Sequence, residues 1–223
     1  MQKDTLSEDI EPDAFPNSVN FKKTHDVIRI VQDLKQGLGY MDLAGKFPYQ
    51  SGRGNNYIMI VYSYDANGIL VEPLKNRNAE TIVQGWTNIH ERLRRPSAGP
   101  NLYIMDNECS NELKAAFGEV KVDYQLVPPA SHRANAAERA IRTFKNHFKA
   151  CLASVNPDFP IKQWDRLLEQ GEITLNLMRS ARANNKLSAY SYLFGIFDYN
   201  KTPLVPPGTK VLVHTKRENR KSW

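Results

Sequence analysis

The sequence predicts an α/β protein with a mixed five-stranded sheet flanked by helices, followed by a helical and short β extension. Three observations predict it. Short runs rich in β-branched and aromatic residues stand at 39–43, 57–62, 69–72, 102–105 and 122–127, bounded by Gly, Pro, Asn or Asp. Between and after the later runs, apolar residues recur at three- and four-residue steps, the period of a helix with one buried face. The order is strand, strand, strand, helix, strand, helix, strand, helix. A meander that passes into strand–helix alternation builds a sheet with both antiparallel and parallel pairs.

Composition sets the outer bounds. A chain of 223 residues holds one domain plus extensions, and 41% hydrophobic residues are enough for a packed core. The formal charge of +6 fits a polyanionic partner, or a surface that is merely basic. No apolar run reaches the roughly 18 residues of a membrane span. The N-terminus lacks the charged-then-apolar pattern of a secretory signal. Cys109 and Cys151 are the only cysteines, which fits a reducing compartment. His25, His90, His132, His147 and His214 form no His-His…Cys-Cys spacing, so no zinc site is expected.

Each element has its own signal. Residues 1–20 carry five acids against Lys3, with Pro12 and Pro16, and read as a flexible acidic leader. Residues 21–37 read as a helix. The meander at 39–43, 57–62 and 69–72 is joined by Ser51-Gly52-Arg53-Gly54-Asn55-Asn56 and by Asp65-Ala66-Asn67-Gly68, both turn words. The glycines of the first make a turn or, alternatively, a phosphate cradle. Residues 78–94 read as a helix capped by Asn78, with Ile82, Trp86, Ile89 and Leu93 on its core side. Arg92, Arg94 and Arg95 at its end complement the helix dipole or meet DNA. The strand at 102–105 leads to Asp106, a short helix to 111–117, and Pro128-Pro129 stops the fifth strand.

The helix at 136–153 puts Ile141, Phe144, Phe148 and Leu152 on one stripe. Arg139, Arg142, Lys145, His147 and Lys149 lie mainly off it. From Arg133 through Lys149 the one acid is Glu138, so this is either a solvated basic face or a DNA-facing one. A further helix is expected over 161–182, weakened at Gly171. Pro203, Pro206 and Pro207 form a linker, and 208–214 reads as a strand opening a further module. The expected division is a leader at 1–20, a catalytic core at 21–182, and a linker with the start of a C-terminal module at 183–223.

Three acids are candidates for chemistry. Asp106 follows a buried strand and stands at the sheet edge, where open α/β sheets place their sites. Asp42 follows a short strand-like segment and precedes Gly45 and Pro48. Glu138 sits in the first turn of a helix, whose N-terminus favours negative charge. If the three converge they repel, and stay ionised only beside a cation or strong donors. Oxygen-only ligation suits Mg²⁺ or Mn²⁺. Each also has a structural reading: strand-end aspartates cap turns, and Asn135-x-x-Glu138 matches a capping box.

The words around these acids carry a resemblance. Asp42-Leu43-Ala44-Gly45-Lys46-Phe47-Pro48, Asp106-Asn107-Glu108 and Asn135-Ala136-Ala137-Glu138-Arg139 are similar to the three acid-bearing segments of copia-type retrotransposon integrases. Those enzymes belong to the retroviral integrase and DDE transposase superfamily. The gaps are 64 positions from Asp42 to Asp106 and 32 from Asp106 to Glu138, the second slightly shorter than usual. Ala136 replaces a common Gly, and Glu108-Cys109 replaces a common Gly-Ser. The resemblance implies a ribonuclease H-like fold, which the element order also matches. It implies Asp42, Asp106 and Glu138 as catalytic and metal-binding residues, with two Mg²⁺ (or Mn²⁺) ions per site.

It further implies end trimming and strand transfer on double-stranded DNA by a homo-oligomer, within a retroelement polyprotein in the nucleus of a eukaryotic host. In relatives the segment before the glutamate contacts DNA near the cleaved bond. The expected DNA-binding residues are therefore His132, Arg133, Asn135, Arg139, Arg142, Lys145 and Lys149. A ribonuclease H-type nuclease of the same fold and an inactive DNA-binding remnant are the rival readings.

Overall fold

The computed structural model describes residues 37–94, 99–106, 109–127, 136–206, 209–212, 214–216 and 218. The expected leader, the expected helix at 21–37 apart from its last residue, and His132, Arg133 and Asn135 lie outside the described residues.

Five strands form one sheet: β1 (Leu38–Ala44), β2 (Tyr57–Ser63), β3 (Gly68–Leu74), β4 (Leu102–Met105) and β5 (Asp123–Leu126), in the order β3-β2-β1-β4-β5. β1, β2 and β3 pair antiparallel, while β1–β4 and β4–β5 are parallel. The hairpin words act as turns. Asn67 takes φ 51° between β2 and β3, a conformation Asn tolerates better than most residues. The loop with Gly52 and Gly54 is pinned to the body: Arg53 Nε and Asn55 Nδ2 both donate to the buried Asp165 carboxylate, at 2.8 and 2.7 Å.

Both sheet faces are covered, and strand alternation sorts the core into two halves. Met41, Met59, Val61, Leu70, Tyr103 and Met105 point to one face, where α1 (Ala79–Arg94) and α2 (Asn111–Glu119) bring Trp86, Ile89, Leu93, Leu113 and Phe117. Ala44, Ile58, Ile60, Tyr62, Ile69 and Val71 point to the other. There α3 (Ala136–Ala153) lays down Ala136, Ala140, Phe144 and Phe148. The two outer members of the expected α3 stripe, Ile141 and Leu152, are only half-buried. No helix among the described residues is long and apolar enough to cross a membrane.

Two expectations at the C-terminal end are corrected. The single helix over 161–182 is instead a 3₁₀ turn at Ile161–Arg166, then α4 (Leu168–Leu177). The break follows from two inward anchors: buried Trp164 donates its indole N–H to the Tyr49 carbonyl at 2.8 Å, and Asp165 receives the loop described above. After α4 the chain turns back, and the Arg182 N–H donates to the Asp65 carbonyl at 2.8 Å. Gly171 sits where α4 closes on α3: a Cβ there would stand a tight 3.3 Å from Phe148 Cδ2. Of the strand expected at 208–214, the described residues Thr209–Leu212 carry no regular structure, and Leu212 is 104% exposed. A strand needs a partner ladder, and none of the described residues supplies one. Between these segments α5 (Ala189–Phe194) returns Leu193 to the core.

α4 also closes the sheet. β3 is an edge strand, and a bare edge invites further pairing. Glu172 Oε2 accepts the Val71 N–H at 2.8 Å, and Asn176 bonds both the N–H and the carbonyl of Ile69, at 2.9 and 2.8 Å. The next outward position is Pro73, which has no N–H to offer.

Candidate active site

The strand register brings the first two acids together. Leu38 pairs with Leu102 and Met41 with Met105; 102 less 38 is 64, and 106 less 42 is also 64. Asp42 and Asp106 therefore directly follow Met41 and Met105, the last paired residues of this parallel ladder. Alternation places both acids on the sheet face opposite Met41 and Met105, the face that α3 covers. A cavity of about 490 Å³ opens at this edge toward the α1/α2 side, where Asp42, Asp106, Arg77 and Cys109 meet Met41, Met59, Ile82 and Leu113.

Asp42 is half-buried, and its Oδ1 accepts the Leu43 N–H at 2.6 Å. Burial pushes its carboxyl above the usual aspartate value. The Leu43 bond pulls the other way, the charges of Asp106 and Glu138 push it further up, and Arg77 opposes them. Asp42 thus feels the charge of both other acids.

Glu138 lies in the first turn of α3 and is exposed. α3 packs across β1 and β2 through Ala136, Ala140 and Phe144, so its first turn carries Glu138 over the sheet face of Asp42. Glu138 does not line the Asp42–Asp106 cavity. Among the described residues, no three or more His, Cys, Asp or Glu side chains stand as a group that can hold a metal ion. The capping-box partner, Asn135, lies outside the described residues.

The donor set nevertheless fits a hard divalent cation. Its atoms are carboxylate oxygens, and Asp42 carries a desolvation and like-charge penalty that a cation relieves. Asp42 and Asp106 are the pair placed to hold it, and Glu138 must draw closer to complete three-point ligation.

The basic side of α3 is as expected in part. Arg139, Arg142, Lys145 and Lys149 are all exposed. Arg142, Lys145 and Lys149 follow Glu138 at four-, three- and four-residue steps, so one stripe joins the acid to three cations. His147 does not belong to this face. It is half-buried between α3 and α4, 2.9 Å from Thr174 Oγ1, and burial pushes its pKa down. Arg92 is not left to the helix dipole or to DNA either, because it pairs with buried Glu172.

Sequence reasoning missed Glu172, Asn176, Arg179 and Arg182. Their signal was present: polar residues at four- and three-residue steps inside a stretch otherwise read for its apolar side chains. Arg179 and Arg182 gather with Arg139 around Tyr62.

No family model and no curated protein matches this chain. Solved structures do. A chain of the simian T-cell lymphotropic virus intasome in complex with PP2A regulatory subunit B56 gamma matches with TM-score 0.58 and 13% identity, over 84% of this chain and 63% of that one. The present chain thus spans less than two thirds of that chain's length. The HTLV-2 integrase catalytic core domain in complex with magnesium, in its trimeric form, matches with TM-score 0.54 and 13% identity, over 71% and 96%. The catalytic core domain of BIV integrase matches with TM-score 0.51 and 12% identity, over 71% and 93%. At these identities the likeness is one of fold: the mixed five-stranded sheet and its flanking helices are those of an integrase catalytic core.

Proposed function

We propose that this chain is the catalytic core of a retroelement DNA integrase of the copia type. In this reading it trims element ends and joins them to target DNA in the nucleus of a eukaryotic host. The observation that carries the reading is that Asp42 and Asp106 directly follow paired residues of adjacent parallel strands, with the charge of Glu138 felt at Asp42. The integrase-core fold and the copia-like words around all three acids support it.

Asp42, Asp106 and Glu138 would hold Mg²⁺ or Mn²⁺, two ions per site. Bound there, the ions supply charge stabilisation for the transferred phosphoryl group and a lowered pKa for its nucleophile. The chain's own residues do the positioning. β1 and β4 fix two carboxylates side by side, and α3 carries the third on a helix end that favours its charge. Arg139, Arg142, Lys145 and Lys149 take DNA phosphates along the exposed face of α3, with His132, Arg133 and Asn135 ahead of it. The nucleophile is water in end trimming and the element's 3′-hydroxyl in joining. The HTLV-2 core was solved with magnesium in dimeric and trimeric forms, which supports a divalent ion and self-association here.

One observation favours a second reading. The three acids do not form a ready-made metal group among the described residues, which is what an inactive DNA-binding remnant would also show. Joining assays with an end-labelled duplex and Mg²⁺ separate the two. Wild-type chain joins ends, and Asp42→Asn or Asp106→Asn abolishes joining while leaving DNA affinity largely intact. A wild-type chain that binds DNA but never joins it supports the remnant. Cleavage of an RNA–DNA hybrid in place of joining marks a ribonuclease H-type nuclease.

A further inference from the structure

The geometry points to a second site, a pocket built by Arg139, Arg179, Arg182 and Tyr62 that takes one backbone phosphate of bound DNA. This inference rests on the DNA-joining reading above and adds to it an anchor away from the carboxylates.

The pocket holds about 170 Å³ and lies between the first turns of α3, the end of β2 and the segment after α4. That is below the size of ordinary small-molecule sites and suits a single compact anion. Two of its guanidinium groups are held in place. Arg179 donates from Nε to the Asn67 carbonyl at 2.7 Å and from Nη2 to Asn67 Oδ1. Arg182 donates from Nε to the Tyr62 hydroxyl at 3.1 Å, and its Cζ stands 4.7 Å from the centre of the Tyr64 ring. The Tyr62 hydroxyl donates in turn to Asn67 Oδ1 at 2.9 Å. A guanidinium has five N–H donors, so both arginines keep donors beyond those used to fix them.

Charge makes the case for an anion. Among the described residues, no carboxylate forms an ion pair with Arg139, Arg179 or Arg182. Burial and the neighbouring Arg182 charge hold the Arg179 guanidinium below its usual value, while the Tyr62 hydroxyl bond pushes that of Arg182 up. Three cations gathered around a small opening repel one another, and a phosphate relieves that repulsion while accepting forked N–H bonds.

Position makes the case for DNA. The Tyr40 ring lies 6.1 Å from that of Tyr62 and 6.5 Å from that of Tyr64. Tyr40 and Asp42 share one face of β1, two residues and so about 7 Å apart along the strand. The pocket and the acids therefore stand on the same side of the sheet, at either flank of α3's first turns. A strand lying across that helix end can meet both.

The test is fluorescence anisotropy with a labelled DNA duplex in the absence of metal, repeated across a series of KCl concentrations. Arg182→Gln and Arg139→Gln are each expected to weaken binding and to make the log–log salt slope shallower by about 0.9, one phosphate contact's worth. Arg182→Lys keeps the slope but loses part of the affinity. Lys201→Gln, at an exposed position after α5, changes neither. A purely structural role for the arginines lowers the melting temperature without moving the slope, and that result overturns the assignment. If Arg182→Gln does not fold, Arg179→Gln, a pocket residue off the α3 face, carries the same decision. A thermal shift with inorganic phosphate that vanishes in Arg182→Gln, with the DNA slope unchanged, assigns the pocket to free phosphate and also overturns it. A wild-type chain that fails to bind DNA at all removes the joining reading itself, and this inference with it.

Discussion

Removing the Arg92 guanidinium strands a carboxylate inside the protein. Glu172 has a side chain only 3% exposed, and Arg92 Nη2 donates to its Oε1 while the Val71 N–H donates to its Oε2. Breaking such a pair from one side costs about 3–5 kcal/mol, because the remaining charge is left in a poorly solvated place. The Arg92 side chain is 35% exposed, so water can partly replace it, and the low end of about 3 kcal/mol applies to Arg92→Met. For a domain of this size each kcal/mol moves Tm by about 2–4 °C, giving a fall of roughly 6–12 °C at pH 7. Burial pushes the Glu172 carboxyl up, against the pull of Arg92 and the Val71 bond.

A carboxyl raised in the folded state favours folding fully below its unfolded pKa and loses that advantage as pH rises through the folded value. The Arg92→Met deficit is therefore largest at neutral pH and shrinks toward acid, as Glu172 takes up a proton. Glu172→Gln added to Arg92→Met recovers most of the loss, since the amide oxygen still accepts the Val71 N–H. Thermal melts followed by circular dichroism at pH 7 and pH 5 decide the matter. A deficit under about 1 kcal/mol, or one that grows toward acid, refutes the buried-pair account, because surface pairs are worth about that much.

The other predictions concern the site and the core. Asp42→Asn raises Tm at pH 7 in metal-free buffer, because the carboxyl held up by burial and two like charges loses its penalty; a lower Tm contradicts that electrostatic picture. Asn176→Leu leaves the Ile69 N–H and carbonyl without their side-chain partner, costs about 1–3 kcal/mol, and promotes self-association through the β3 edge, read by melting and light scattering. Phe144→Ala empties a fully buried position under the sheet and costs about 3–5 kcal/mol in urea unfolding. Lys145→Gln and Lys149→Gln each make the salt slope of DNA binding shallower by about 0.9 if they contact phosphates, and leave it unchanged if their face is only solvated.

Part of the candidate site was legible because strand registers leave arithmetic in the sequence. The 64-residue gap between Asp42 and Asp106 is the same offset that pairs β1 with β4, so spacing along the chain carried adjacency in space. The α3 bounds were readable for a similar reason: one helix-period apolar stripe runs from Ala136 through Phe144 and Phe148 to Leu152. Residues 161–182 carried the same apolar period and misled, because Trp164 and Asp165 face inward to hold a loop more than a hundred residues earlier. His147 looked basic on a helical wheel, and only the packing of α4 shows it taken into the α3–α4 contact. Val211 and Leu212 had strand-like character, but pairing depends on a neighbour that local pattern does not supply. The arginine pocket was hidden because Arg139 is 40 and 43 positions from Arg179 and Arg182 in the chain.

The central claim is that Asp42, Asp106 and Glu138 act together on a divalent ion at the sheet edge. Mg²⁺ titration by calorimetry, run on wild type beside Asp42→Asn, Asp106→Asn and Glu138→Gln under identical salt, tests it most directly. The account predicts saturable binding to wild type, abolished by either aspartate substitution and weakened by Glu138→Gln, with strand transfer lost in all three. Unchanged Mg²⁺ affinity in the aspartate variants, or full strand transfer by a folded Glu138→Gln, would contradict it.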